Sequence, residues 1–259
     1  MKSLKAIRII FTAALALVCG TPAESQGYDW PRWRGPDANG ISKETGWNTQ
    51  ALAGEAKVLW NVNVGLGYSN VAIKGNRLYA MGLQGEVNVV SCLDATIGKL
   101  IWKYSFPNLH EPQSTPTIDN AFVYTLSKEG ILLCLHAHNG KLRWKKDLAS
   151  DYAAVEPLYG FAGSPVIEGN LLLLNVNMAG MALNKETGRL VWSSEKPPEE
   201  IISAELYGTD YSTPVIYTQK GRRCAVFSSC KGISSVDVET GKQVWLYEWE
   251  YYEGDIVPD

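Results

Sequence analysis

Basic runs, long apolar stretches and histidine clusters are all missing from this sequence. The 259 residues include 24 Lys and Arg, 27 Asp and Glu, and three His, for a net charge of −3. A mildly acidic chain without basic runs lacks the clustered positive charge that binds the phosphates of nucleic acid. A zinc site needs three or four ligands, so three His, two of them in the pair His136-x-His138, give little basis for one, and we assign no metal site. The composition otherwise is that of a globular protein.

Cysteine is also scarce, and its spacing argues against disulfides. Beyond Cys19, the chain has Cys92, Cys134, Cys224 and Cys230. The last two lie six residues apart in one predicted strand and its turn, which separates them by roughly 20 Å if extended, beyond a bridgeable distance. The first two occupy equivalent places in successive repeats. We therefore expect four free, mostly buried thiols.

The one marked apolar run is short and N-terminal. Residues 1–8 carry three basic side chains, residues 9–18 are apolar apart from one Thr, and small or polar residues follow to residue 27. This pattern predicts a secretory signal peptide over residues 1–27, too short to span a membrane. Val18 before Cys19 disfavours a lipid anchor there. We expect an exported protein, periplasmic or extracellular, whose net charge without residues 1–27 is −5.

Self-comparison reveals a repeat throughout the remaining chain. Four segments place a Gly four residues before a Trp, with Lys or Arg directly after the Gly. The Gly and Trp pairs are Gly98 and Trp102, Gly140 and Trp144, Gly188 and Trp192, and Gly241 and Trp245. In a second register, a Ser or Thr precedes Pro116, Pro165 and Pro214 at intervals of 49 residues. Regular spacing of this size predicts a repeat architecture.

Each unit is predicted to contain four short strands. In the second unit these are residues 115–119, 122–127, 131–137 and 141–147, joined by turn sequences such as His138-Asn-Gly140. No helical period is sustained after residue 18. Because Pro is confined to strand starts or edges, the first strand is expected to be the inner edge of each unit. The pattern predicts an all-β propeller of four-stranded antiparallel blades at about 69–106, 114–148, 163–195 and 212–250.

The run Ala-x-x-x-Gly-Lys-x-x-Trp resembles the tryptophan-docking repeat of quinoprotein propellers, which include pyrroloquinoline-quinone (PQQ) dehydrogenases and BamB-like assembly proteins. The segment from Trp30 to Gly40 also resembles the leader of exported PQQ-repeat proteins. The resemblance divides the chain into a leader, residues 28–56, and propeller repeats, residues 57–259. It implies that the four blades are half of an eight-bladed ring, closed by further blades of a longer chain or by a second copy. It also implies an outer strand at Val58–Val62.

Candidate ligand residues lie in the connectors that lead into the first strands. Glu156, Tyr159, Asp210 and Tyr211 are expected at the channel mouth as acceptors and stacking faces. A PQQ dehydrogenase, by resemblance, holds PQQ and Ca²⁺ at such a mouth, with a catalytic Asp and often two adjacent cysteines. No two cysteines are adjacent here, and we assign no catalytic residue. The four candidates can equally be a solvated polar rim.

Two functions follow from the resemblance. The first is a binding or scaffold module of the cell envelope that recruits a protein or a small ligand. The alternative is a PQQ- and Ca²⁺-dependent alcohol or sugar dehydrogenase, or a fragment of one. Because one fold hosts many functions, the repeat alone does not decide between them. The absent cysteine pair favours the first.

Overall fold

The computed structural model describes residues 29–46, 48, 50, 53–54, 57–203 and 211–248. Within these residues the chain forms sixteen strands and two short helices. Blade 1 contains β1 (Ala72–Lys74), β2 (Arg77–Gln84), β3 (Val87–Asp94) and β4 (Leu100–Pro107); blade 2 contains β5 (Thr117–Asp119), β6 (Phe122–Leu126), β7 (Ile131–His136) and β8 (Leu142–Asp147). Blade 3 contains β9 (Val166–Glu168), β10 (Leu171–Leu174), β11 (Met181–Asn184) and β12 (Leu190–Ser193); blade 4 contains β13 (Val215–Gln219), β14 (Arg222–Ser229), β15 (Gly232–Asp237) and β16 (Gln243–Glu248). The helices are α1 (Leu148–Tyr152) and α2 (Glu199–Ser203).

Every blade is a four-stranded antiparallel sheet whose strands pair in chain order. The first strand is therefore an edge, as predicted, and it begins directly after Pro116, Pro165 or Pro214 in blades 2 to 4. Each blade also has a register shift between its third and fourth strands, beside the Trp of the repeat. Such bulges increase the local twist of a sheet. The all-β propeller prediction is confirmed, and the described sheets form an open arc.

The Trp of one blade packs on the glycine turn of the next. The Trp102 ring lies against Gly140, where an added Cβ would meet the ring at 2.5 Å, and its Nε1 donates to the Ala137 carbonyl at 2.9 Å. Gly140 has a φ of +69°, a conformation that costs other residues free energy. The same arrangement joins Trp60 to Gly98, Trp144 to Gly188 and Trp192 to Gly241.

The core lies between the blades. Buried aliphatic and aromatic side chains form one cluster between each pair of neighbouring blades. The cluster between blades 2 and 3, for example, contains Tyr124, Leu132 and Trp144 from one side and Leu172 and Leu183 from the other. Burial of this apolar area holds the blades face to face. Cys92, Cys134, Cys224 and Cys230 are buried thiols that form no disulfide in the described chain.

The leader lies along the free edges of the first two inner strands. Trp30 exchanges two backbone hydrogen bonds with Ile73, of 2.8 and 2.9 Å, and the Pro31 carbonyl accepts from the Ile118 N–H at 2.8 Å. Asp29 accepts from the Gly75 N–H at 2.7 Å. These contacts fix the segment on the concave side of the arc. The sequence did not predict this position.

Other expectations have different outcomes. Val58–Val62 has no strand partner among the described residues, and Trp60 packs on blade 1, where its Nε1 donates to the Ala95 carbonyl at 3.1 Å. The predicted signal peptide, residues 1–27, lies outside the described residues, as does Asp210. In the part of the chain that is described, no helix has both the length and the apolar character to cross a membrane.

Candidate functional site

The candidate site is a cavity of about 580 Å³ on the concave side of the arc. The leader forms one wall and the segments that precede β5, β9 and β13 form the other. Its size falls within the range of ligand-binding pockets. Its lining includes Arg32, Trp33, Arg34, Ser164, Ser212 and Val215.

A chain of hydrogen bonds between blades fixes the strand side of the cavity. The Asn70 N–H donates to Thr115 Oγ1 at 3.2 Å, the Thr115 N–H to Ser164 Oγ at 2.9 Å, and the Ser164 N–H to Thr213 Oγ1 at 3.0 Å. Thr117 Oγ1 also donates to the Pro165 carbonyl at 2.6 Å. Thr115, Ser164 and Thr213 each come directly before the proline of their repeat, and Thr117 comes directly after Pro116. The backbone around the cavity is therefore held by its neighbours.

The leader wall is positively charged. Arg32 donates from Nη2 to the Pro36 carbonyl at 2.8 Å and from Nε to the Gly35 carbonyl at 3.3 Å. Burial lowers the pKa of its guanidinium, and the charges of Glu168 and Asp37 oppose that shift. The Arg34 side chain is exposed to solvent beside it. The described lining contains no carboxylate, so this wall favours an anionic group.

Behind the hydroxyl wall lies a buried amide with an unused acceptor. Asn175 is 4% exposed, and its Nδ2 donates to Ser212 Oγ at 3.0 Å and to the Ser212 carbonyl at 3.2 Å. Its Oδ1 is buried and receives no hydrogen bond. A buried polar atom without a partner costs free energy. The Ser212 and Ser228 hydroxyls, which line the cavity, lie 2.7 Å apart in front of it.

Two of the four residues predicted for the channel mouth come together. The Tyr159 N–H donates to the Tyr211 hydroxyl at 3.0 Å, and the two rings lie 6.0 Å apart at 44°. Gln113 Nε2 donates to the Tyr159 carbonyl at 3.1 Å and so joins a third connector. Tyr211 and Gln113 line the cavity. The tyrosines therefore cross-link the connectors at its rim.

Glu156 faces a different group of side chains. Burial raises the pKa of its carboxyl, and the nearby charge of Glu129 raises it further, while His110 and Lys128 act in the opposite direction. His110 Nδ1 lies 2.6 Å from Glu129 Oε1. Neither Glu156 nor Tyr159 is among the residues that line the cavity. Sequence position alone placed Glu156 with the tyrosines, because all three lie in connectors on one face.

Within the described residues, the lining of the cavity does not fit the Ca²⁺ that accompanies PQQ in the dehydrogenases. Ca²⁺ takes six to eight oxygen ligands, with carboxylates prominent among them. The described lining offers hydroxyls, one carboxamide and two guanidinium groups. No group of three or more acidic, His or Cys side chains in the described residues is placed to hold a metal ion. Arg32 and Arg34 can pair with the carboxylates of PQQ, but the described lining lacks the carboxylate ligands that Ca²⁺ prefers.

Sequence reasoning missed the most informative residues of the cavity. Arg32 and Arg34 belong to the leader motif, whose sequence gives no sign of a cavity. The hydroxyls of Thr115, Ser164 and Thr213 were noticed only as a second register beside the prolines. Their recurrence at intervals of 49 residues in blades 2 to 4 is the signal in the sequence, since each hydroxyl accepts from the backbone N–H of the preceding blade.

The four blades and their Trp–Gly contacts define a β-propeller of the PQQ-repeat class. Residues 50–259 match the family described as outer membrane protein assembly factor BamB. The chain belongs to this family. The matched residues include all four described blades.

Individual relatives are distant and longer. BamB from Moranella endobia (strain PCIT) is 26% identical over 145 residues, which cover 51% of this chain and 35% of the relative. The dehydrogenase subunit of quinone alcohol dehydrogenase from Gluconobacter oxydans (strain 621H) is 27% identical over 158 residues, or 58% and 21% of the two chains. The matched region thus spans about a third or less of these two curated relatives.

A solved structure supports the architecture. Quinohemoprotein alcohol dehydrogenase from Comamonas testosteroni aligns with a TM-score of 0.59 and 15% identity, over 87% of this chain and 42% of that one. At this identity the likeness concerns the fold alone.

Proposed function

We propose that the protein is an exported binding module of the cell envelope that holds a partner protein at its concave cavity. The observation that carries this proposal is the cavity wall formed by Arg32 and Arg34 opposite the fixed hydroxyls of Ser164 and Thr213. Such convergent polar groups in a partly apolar pocket suit recognition. The relatives named as outer membrane protein assembly factors support an envelope partner.

Gene deletion and complementation test whether the cavity is needed for this function. The gene is deleted in the source bacterium, and outer-membrane protein abundance is measured by quantitative proteomics. The strain is then complemented with the wild type, with Arg34→Glu, or with Arg189→Glu, whose exposed side chain lies at the start of an outer strand. We expect outer-membrane proteins to fall on deletion and to recover with the wild type and Arg189→Glu only. Unchanged abundance on deletion would reject the proposal.

The second candidate is a quinone-dependent alcohol or sugar dehydrogenase, which the Gluconobacter oxydans relative supports. The mismatch between the cavity and Ca²⁺ weighs against it. The purified protein is incubated with PQQ and Ca²⁺, and dye-linked oxidation of alcohols and sugars is measured. Turnover that disappears with EDTA would establish this function in place of the first.

A further inference from the structure

We infer that the concave cavity binds an extended acidic peptide segment, which lies along the free edges of β9 and β13 with its carboxylates toward Arg32 and Arg34. This inference rests on the proposed binding function and names the chemistry of the partner. It combines three observations: the position of the leader, the register of the inner strands and the charge of the cavity wall.

The leader shows that the inner strands accept an extended chain. Trp30 and Pro31 make three backbone hydrogen bonds with Ile73 and Ile118, at the free edges of β1 and β5. Addition of a strand to an exposed edge is a general mode of peptide recognition. In the described chain, no backbone hydrogen bond joins the leader to β9 or β13. The first two inner edges are thus occupied by this chain itself.

The register places equivalent backbone groups on the next two edges. Ile73 lies opposite Leu78 and Ile118 opposite Val123, each next to the pair that closes the first turn of its blade. Ile167 occupies the same place in blade 3, opposite Leu172. In an antiparallel ladder, alternate residues direct their N–H and C=O groups away from the partner strand. The backbone of Ile167 therefore faces the concave side, as that of Ile118 does.

Blade 4 repeats this arrangement with a longer inner strand. Gln219 and Arg222 close the first turn of the blade, and Ile216 lies three positions before Gln219, opposite Ala225. The alternation directs the Ile216 backbone to the concave side as well. Val166 and Val215, the neighbours of Ile167 and Ile216, line the cavity. The cavity therefore adjoins two inner edges that can pair with an added strand.

The opposite wall selects for acidic side chains. Arg32 and Arg34 line the cavity, whose described lining contains no carboxylate; Glu168 and Asp37 act on Arg32 from outside that lining. Guanidinium groups bind carboxylates through paired, charge-assisted hydrogen bonds. A peptide with acidic residues at alternate positions would direct them to one side of its strand. Its backbone would meet β9 and β13, while its carboxylates would meet the arginines.

Fluorescence anisotropy on the full chain tests the inference. The probe is a labelled peptide of alternating valine and glutamate, and the matched probe has glutamine for every glutamate. We expect the acidic peptide to bind more tightly, with a Kd that rises with salt. Arg34→Gln should weaken its binding by about tenfold, the effect of one charge-assisted hydrogen bond. Arg189→Gln should leave the Kd unchanged.

Further probes separate a peptide site from a general anion site. An acidic peptide N-methylated at alternate amides loses the backbone donors on one edge and should bind at least about tenfold more weakly. Equal binding of the methylated peptide, or full competition by glutarate at the peptide's own concentration, would replace the inference with a small-carboxylate site. Equal affinity for the glutamate and glutamine peptides, or no effect of Arg34→Gln, would overturn it. If complementation fails for Arg34→Glu while no peptide binds, the proposed function stands without this inference.

Discussion

The backbone N–H of Thr115 donates to the Oγ of Ser164 across the boundary between blades 2 and 3, at 2.9 Å. Ser164 is 3% exposed and Thr115 is 1% exposed, so water cannot easily replace this bond. Ser164→Ala leaves a buried donor without an acceptor and should lower the free energy of unfolding by about 1–3 kcal/mol. Urea denaturation measures the change. Ser164→Thr restores a hydroxyl like that of Thr213, and Ser150→Ala, at an exposed position, should change little. Equal stability of both alanine variants would contradict the prediction.

A second prediction concerns the glycine turns. Gly140 and Gly75 both have positive φ, at +69° and +55°, but only Gly140 faces a ring, that of Trp102. The Cβ added by Gly75→Ala has no atom within 4 Å, so this substitution costs only the backbone strain of a positive φ. Gly140→Ala must also displace the Trp102 ring, which should cost about 1–3 kcal/mol more. Thermal and urea unfolding of the two variants give this difference. Equal losses of unfolding free energy in the two variants would show that the Trp102 ring moves aside without a cost in stability.

The third prediction concerns thiol reactivity. Burial raises the pKa of Cys134 to about 12, and it also raises the pKa of Cys92. The reactive species is the thiolate. At pH 8 neither residue should be alkylated by iodoacetamide in the folded protein, while both should react in urea. Peptide mass spectrometry assigns the modified sites, and Ser150→Cys serves as an exposed positive control. Rapid native labelling of Cys134 would contradict the burial of this strand.

The fourth prediction is a pH dependence. The pKa of Glu156 is raised above its ordinary value of 4.5 by burial and by Glu129, so its charged form is disfavoured in the folded state. The associated stability is present below about pH 4.5 and is lost as the pH rises through the folded pKa. Glu156→Gln should therefore stabilise the protein at pH 7 relative to the wild type and have little effect at pH 3.5. Denaturation at both pH values measures this. Glu129→Gln should lower the pKa of Glu156, which carboxyl NMR follows.

The sequence predicted the blades well because their signals are local. Gly140 and Trp144 lie within one turn and strand, and the prolines mark where inner strands begin. The leader could not be placed in this way, since Trp30 meets Ile73 through backbone groups that carry no sequence signature. Tyr159 and Tyr211 lie in equivalent connectors and are in contact, while their role at a ligand site stays a prediction. The sequence carries no signal for the charges that act on Glu156, which come from Glu129, His110 and Lys128.

The Trp–Gly contacts also determine how stability is shared along the chain. Apart from the contact of Trp60, which precedes blade 1, each one joins a blade to the next blade only, as Trp102 joins blade 1 to Gly140 of blade 2. The arc therefore resembles a one-dimensional array of units coupled to their nearest neighbours, in which a local defect weakens one junction and leaves distant ones intact. The leader is the exception, since Trp30 and Pro31 contact blades 1 and 2 at once. Blades 1 and 2 should therefore unfold most cooperatively, and they should unfold after blades 3 and 4.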